Sequence, residues 1–229
     1  MKMRIYRIFE ALGDSILLAT FIKHYNITTV YYNRGEFKTL STIFKKYNVK
    51  PPTFIPITER VSTTMVDILQ DLTRHNIPLI KLDYIKNIKW TTTQLKTKNN
   101  YGADRAVTKE EAKPHVENLA LMPVEKAKNI SELINLMSQS EKHITMDSGT
   151  AWLSASMRIP TIVISKNSYY WPDAYHYMKY IETLENVEVY QQTGKGVKVA
   201  TEEQYYQYAK ENKVEVGPYA DYQKKVLSK

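Results

Sequence analysis

The chain reads as an α/β protein built from two compact, Rossmann-like lobes, and three observations lead there. Short apolar runs alternate with helix-length apolar periodicities from the start of the chain to about residue 190, the pattern of βα units with parallel strands. A strand, a Gly/Asp turn and a helix occur in the first half and again in the second, as if two similar lobes faced each other. The length of 229 residues suffices for one large domain or two small ones, with trimmed lobes in the second case.

Taken in order, a strand over 4–9 leads through Glu10-Ala-Leu-Gly-Asp14 into a helix over 15–25. A strand over 27–32, a helix over 36–47, a strand over 53–56 after the Pro51-Pro52 turn, a helix over 61–75 and a strand over 78–82 complete a first lobe, residues 1–85. Its strands are expected to be parallel with right-handed crossovers. Residues 83–89 serve as the interlobe linker. The second lobe, residues 86–200, is expected to hold strands over 88–94, 118–122, 143–147, 161–165 and 187–190. Its helices span 130–140, 150–157 and 174–184, and 191–198, with two glycines, is a loop. The tail, 201–229, reads as helices over 202–212 and 220–227. Solenoid-length repeats and low-complexity segments are absent from the sequence.

Asp147-Ser-Gly-Thr-Ala-Trp-Leu-Ser-Ala-Ser-Met-Arg-Ile-Pro-Thr161 carries the most functional information. It leaves a strand, turns on Gly149, continues as a small-residue helix and passes Pro160 into the next strand. Helix N-termini present unpaired N–H groups and a partial positive charge, which suits a phosphate. A packing turn is the plainer account of the same residues. In the first lobe Asp14 stands at the carboxyl end of the first strand, where open α/β sheets place ligands; as structure alone, Gly13 and Asp14 also make a turn and an N-cap.

Together, Gly13-Asp14-Ser15-Ile16-Leu17 and Asp147 to Ala155, with Ile159-Pro160-Thr161 following, resemble the motifs of the heptosyltransferase-like glycosyltransferases. The resemblance covers about a quarter of the chain at motif level and implies the two-lobed B-type glycosyltransferase fold. It also implies Asp14 as general base on the acceptor hydroxyl. Asp147, Ser148, Gly149, Thr150 and Ala151 are implied as the donor-diphosphate loop, and the tail helices as packing back on the first lobe. Where the family usually carries His, this chain has Trp152.

The implied chemistry is physically coherent. Inverting transfer needs a base within hydrogen-bond reach of the acceptor hydroxyl while the nucleotide diphosphate leaves from the opposite face. Many transferases stabilise that leaving group with a metal held by an Asp-x-Asp pair, and this sequence has no such pair. Helix N–H groups and basic side chains are expected to serve instead, so a metal-independent enzyme without a cofactor, using a nucleotide-diphosphate sugar as co-substrate, is expected. The run from Ile88 to Arg105 reads as a strand and a basic loop, making Gln94, Lys96 and Arg105 candidates for donor phosphates, Arg105 foremost for its bidentate geometry. The alternative is a solvated loop. Glu125 is a candidate for the ribose hydroxyls of the donor, with a surface carboxylate as the plainer account.

Composition bounds the rest. Cysteine is absent, which excludes disulfides and thiolate chemistry, and five scattered histidines lack ligand spacing; they read as surface or packing residues. Glu10 and Asp14 interrupt the N-terminal apolar run, and no stretch approaches the roughly 20 apolar residues of a membrane span. A cytoplasmic protein, in the host cytoplasm for a phage protein, is expected. The net charge of +8 is uneven: residues 1–100 hold 16 Lys and Arg against 7 Asp and Glu, hence +9, and residues 101–229 hold 16 against 17, hence −1. A cationic acceptor side suits an acidic acceptor.

Tyrosine is abundant, 18 residues. Gly13, Tyr169, Tyr170 and Trp171 are taken as acceptor-side contacts, the aromatics by stacking, whereas Tyr177, Tyr180 and Leu184 read as a buried helix stripe. These features favour hydroxymethylated cytosine in DNA as acceptor, as in bacteriophages that glycosylate their genomes; a phage DNA arabinosyltransferase fits, although no residue identifies arabinose. A lipopolysaccharide or other surface glycan is the alternative acceptor, and a noncatalytic nucleic-acid-binding protein the alternative class.

Overall fold

Two parallel sheets share a layer of helices. The computed structural model of the chain describes residues 1–8, 11–59, 61, 63–95, 106–115, 121–165, 172–191 and 194–195. The first sheet contains β1 (Lys2–Ile8), β2 (Thr29–Gly35) and β3 (Thr53–Pro56) in that order, all parallel. Between and after them run α1 (Leu12–His24), α2 (Lys38–Lys46) and α3 (Met65–Arg74). The second sheet has the order β5-β4-β6-β7-β8-β9, formed by β4 (Trp90–Gln94), β5 (Leu121–Pro123), β6 (Ser140–Met146), β7 (Thr161–Ser165), β8 (Val187–Gln191) and β9 (Gly194–Lys195). Its pairings are parallel except β8–β9. The short α4 (Lys109–Ala112), α5 (Ile130–Met137), α6 (Gly149–Ser156) and α7 (Pro172–Glu182) accompany it. Among the described residues no helix is long and apolar enough to cross a membrane.

Four helices stop by the same device. Asn26, Asn48, Asn76 and Arg158 adopt left-handed φ of 48°, 49°, 49° and 56°. The next residue in each case donates its N–H to a carbonyl five residues back: Ile27 to Ile22, Val49 to Phe44, Ile77 to Leu72 and Ile159 to Ser154, all at 2.9–3.0 Å. This is the Schellman closure, and its following apolar residue returns to the core. Asparagine tolerates the left-handed region better than most side chains, so the repeated Asn-Ile/Val pair carries the stop in the sequence.

The segment 77–89 departs from expectation, since no strand forms at 78–82. Pro78 has no N–H, and the following donors are used elsewhere: Ile80 N–H to Thr20 Oγ1 at 3.3 Å and Leu82 N–H to Ser156 O at 2.9 Å. Arg158 Nη2 donates to Leu79 O at 3.1 Å. With Leu79, Ile80 and Leu82 buried, the segment becomes an apolar strap laid across α1 and α6. Residues 191–198, expected as a loop, include the antiparallel β9 instead.

The sheets meet through helices. α1 packs on α6 and α3 on α7, and one buried cluster runs continuously from Ile5 and Leu17 to Trp152, Tyr180 and Val189. Tyr180 donates from its hydroxyl to Ile77 O at 2.8 Å, and Tyr47 and Ser156 share a buried hydroxyl contact. Burial on this scale, at roughly 25 cal/mol per Å² of apolar surface, makes the helix layer between the sheets part of one continuous core.

Candidate functional site

The two glycine-containing motifs converge at the starts of α1 and α6. Helix α1 begins at Leu12, and Ser15 N–H donates to Ala11 O at 3.0 Å. Gly13 and Asp14 therefore lie in its first turn rather than forming a turn and N-cap before residue 15. The reason is packing: a Cβ on Gly13 would stand 2.5 Å from Trp152 Cδ1, so only glycine lets α1 settle on α6. Gly149 answers from the other side, where a Cβ would meet Leu12 Cβ at 3.0 Å and Gly13 N at 3.4 Å. Trp152, 3% exposed, also stacks on Tyr180 at 6.0 Å and meets Tyr177 edge-on at 6.3 Å.

Asp14 is half-buried at this junction. Burial pushes its carboxyl up to about 6, against the Tyr177 hydrogen bond and the nearby Arg7 charge, which both lower it. The Tyr177 hydroxyl donates to Asp14 Oδ1 at 2.9 Å. Tyr177 was expected in a buried stripe with Tyr180 and Leu184. Tyr180 and Leu184 are buried, but Tyr177 is half-buried and reaches across to α1.

The Asp-Ser-Gly loop is backed by a hydroxyl network. Ser148 is the N-cap of α6, and Asp147, Ser148 and Gly149 are each half-buried. The Gln94 Oε1 accepts from Thr150 Oγ1 at 2.6 Å and from Ser148 Oγ at 3.0 Å. Thr145 Oγ1 lies 3.0 Å from Ser148 Oγ and 3.2 Å from Thr150 Oγ1. His143, fully buried, lies beneath: Nε2 is 2.9 Å from Thr150 Oγ1 and Nδ1 is 3.0 Å from Thr92 Oγ1. Burial pulls its pKa down to about 3 despite a hydrogen bond to the Thr92 backbone, so the ring is neutral throughout the physiological range.

These contacts engage several of the groups expected to meet the donor. Gln94 spends its amide oxygen within the protein and orients the start of α6. Thr150, 6% exposed, has its hydroxyl engaged in the same network. Ala151 is completely buried and its N–H donates to Ser148 O at 3.1 Å. Glu125, in the short 3-10 turn Val124–Lys126, is half-buried rather than a surface carboxylate; its Oε1 accepts from Leu95 N–H at 3.1 Å. Its Oε2 is buried without a partner among the described residues. Lys96, Arg105, Tyr169, Tyr170, Trp171 and both tail helices lie outside the described residues.

Sequence reasoning did not single out Arg7 or Arg34, read His143 as a surface or packing residue, and assigned Tyr177 to packing alone. Arg7 and Arg34 line a pocket of about 320 Å³ with Ile8, Gly35 and Glu36, at the carboxyl ends of β1 and β2. The position of Arg7 at a strand's carboxyl end was available as a cue. A larger groove, about 610 Å³, runs between α2 and β3, lined by Phe37, Phe44, Phe54, Lys45 and Lys50 among others.

No protein-family model matches the chain, and no curated protein matches it. Among solved structures it is similar to the bacterial iron-containing dodecameric glycosyltransferase TibC from enterotoxigenic E. coli H10407, at 11% identity and a TM-score of 0.42, over 72% of this chain. The chain spans 58% of the length of that structure. A likeness this distant carries no argument for activity.

Proposed function

We propose that the chain is an inverting glycosyltransferase in which Asp14 is the general base. The single observation that carries this reading is the meeting of a carboxyl raised to about 6 with the start of α6, whose Gly149 approaches Gly13. A carboxylate of raised basicity is a better proton acceptor near neutral pH than an ordinary aspartate. It removes the acceptor hydroxyl proton as that oxygen attacks the anomeric carbon. The bond from that carbon to the donor phosphate breaks, and the nucleoside diphosphate leaves with the electron pair. The N–H groups of Ser148 and Gly149, at the positive end of α6, meet its developing charge, so no metal is assigned to the step. The Glu125 Oε2, buried without a partner among the described residues, suits a hydroxyl donor such as a ribose, because a buried acceptor without a partner costs free energy.

For the acceptor we favour hydroxymethylated cytosine in DNA, on the +9 excess of residues 1–100. The test is a mass-spectrometric screen of nucleotide-sugar donors against hydroxymethylcytosine DNA and against phosphorylated glycolipids, with and without EDTA. Transfer to DNA that survives EDTA and falls ~10²- to 10⁴-fold in Asp14→Asn is the expected result. Transfer to glycolipid alone would move the acceptor assignment to glycans.

A further inference from the structure

The groove of about 610 Å³ lies between α2 and β3, the outer strand of the first sheet, and none of its lining residues belongs to the α1–α6 junction. Its floor is aromatic. Phe37 and Phe54 meet at 4.7 Å and 61°, and Phe44 lies 6.3 Å from Phe54. Phe44 is buried and anchors the floor, whereas Phe37 and Phe54 are half-buried and keep part of each ring toward the groove. A packing role accounts for Phe44 and leaves the accessible parts of the other two rings uncovered.

The rim is cationic. Lys45 and Lys50 line the groove, both exposed, and no acidic residue lines it. Among the described residues, none of Lys38, Lys45, Lys46 and Lys50 has a carboxylate at ion-pair distance. Lys45 and Lys46 close α2, where the helix dipole favours a cation. The dipole does not account for Lys38, which opens α2 with no acidic residue in the first turn, or for Lys50, which lies beyond the helix. Lys38 precedes Lys45 by two turns on the same helix face, roughly 10 Å away along the axis at 1.5 Å per residue. That spread suits several anionic groups in a row better than one.

The edge strand disfavours a peptide partner. β3 has four residues, follows Pro51-Pro52 and ends on Pro56, which has no N–H to offer an added strand. A lipid with a single headgroup would engage one end of the lysine row and leave the rest unmet. We propose that the groove binds single-stranded nucleic acid, with an unpaired base against Phe37 and Phe54 and neighbouring phosphates on Lys45, Lys50 and Lys38. Aromatic platforms bordered by cations hold strands in this way with little dependence on sequence. The exposed Asn48, also lining the groove, adds an amide at the rim for a base or sugar edge. The purpose of such binding rests on the reading of the acceptor as nucleic acid; its chemistry rests on the groove.

The probes are a short single-stranded oligothymidylate and an abasic strand of equal length, with affinity measured against salt. The wild type should bind the base-bearing strand about tenfold more tightly than the abasic one. Phe37→Leu should lose that preference and keep the salt slope. Lys45→Gln and Lys50→Gln should keep the preference, and each should reduce the slope of log K against log salt by about 1. Lys128→Gln, at an exposed position before α5, should change neither. If Phe37→Leu does not fold, the abasic comparison in the wild type and the two exposed lysine variants decides alone. Equal wild-type affinity for the two strands, or salt slopes unmoved by both lysine substitutions, would overturn the proposal. So would binding to anionic phospholipid vesicles that depends on Lys45 and Lys50 while oligonucleotide affinity does not. If the strand binds as expected but no sugar reaches DNA, the acceptor reading fails and the groove stands. If sugar reaches DNA while strand affinity ignores Phe37, Lys45 and Lys50, the groove fails and the acceptor reading stands.

Discussion

Tyr177 donates its hydroxyl to Asp14 at 2.9 Å and so joins α7 to the first turn of α1. Burial holds the Asp14 carboxyl near 6, and Tyr177 restrains that rise by stabilising the carboxylate. Tyr177→Phe should move the acidic limb of the rate profile to higher pH, by up to about one unit. On the proposed role of Asp14 as a carboxylate base, activity should rise with pH through that limb. A profile that does not move in Tyr177→Phe would separate Asp14 from the rate-determining proton transfer.

The same carboxyl links pH to stability. A folded-state value raised from 3.8 to about 6 favours the protonated native form, so its contribution is full below pH 3.8 and is lost as pH rises through 6. The loss amounts to at most ~3 kcal/mol. Asp14→Asn should therefore be more stable than the wild type at pH 8, and close to it at pH 3.5, in denaturant titrations at both values.

His143 has the opposite sign. Its value falls from 6.5 to about 3, so the stability of the neutral ring is present above pH 6.5 and is lost as pH falls toward 3, by about 5 kcal/mol in all. His143→Gln should cost about 1–3 kcal/mol at pH 7 through the disturbed Thr92 and Thr150 contacts and flatten the acid dependence between pH 6.5 and 4. An unaltered acid midpoint in this variant would show that the ring does not govern acid unfolding.

Gly13 and Trp152 should behave as one unit. Gly13→Ala inserts a methyl 2.5 Å from the indole, which in a packed interface costs about 1–3 kcal/mol. Trp152→Leu costs several kcal/mol alone through lost contacts but should absorb most of the alanine penalty. A double-mutant cycle measures the coupling, expected to exceed ~1 kcal/mol; additivity would mean that the helices slide apart rather than clash.

Gln94→Ala removes the acceptor shared by Ser148 and Thr150. A cost of about 1–3 kcal/mol is expected from the stranded hydroxyls. With a nucleotide-sugar donor identified, KM for that donor should rise more than kcat falls, since the substitution loosens the α6 start without touching Asp14.

Local chemistry made much of the fold readable. β3 at 53–56 and β7 at 161–165 have the residues expected for them, and the starts or ends of most other elements fall within about three residues of expectation. Apolar runs bounded by Pro, Gly or Asn signal strands and helix stops through backbone sterics that act over a few residues. The apolar strap at 77–89 was not readable in that way. Leu79, Ile80 and Leu82 have strand-like composition, but whether their N–H groups find a neighbouring strand or the Thr20 hydroxyl and Ser156 carbonyl depends on distant parts of the chain.

The candidate site divides along the same line. Gly13-Asp14 and Asp147-Ser148-Gly149 stand out in the sequence because strand-to-helix turns with glycine and acid are locally distinctive. That the two motifs lie together, with glycines admitting Trp152 and Leu12, follows from the packing of α1 on α6. The reach of Tyr177 to Asp14, the closed network from Gln94 to His143 and the pairing of Arg7 with Arg34 are likewise tertiary facts. Sequence chemistry determined which backbone turns and charged groups exist; long-range packing and strand register decided which of them face one another, because both depend on residues far apart in the chain.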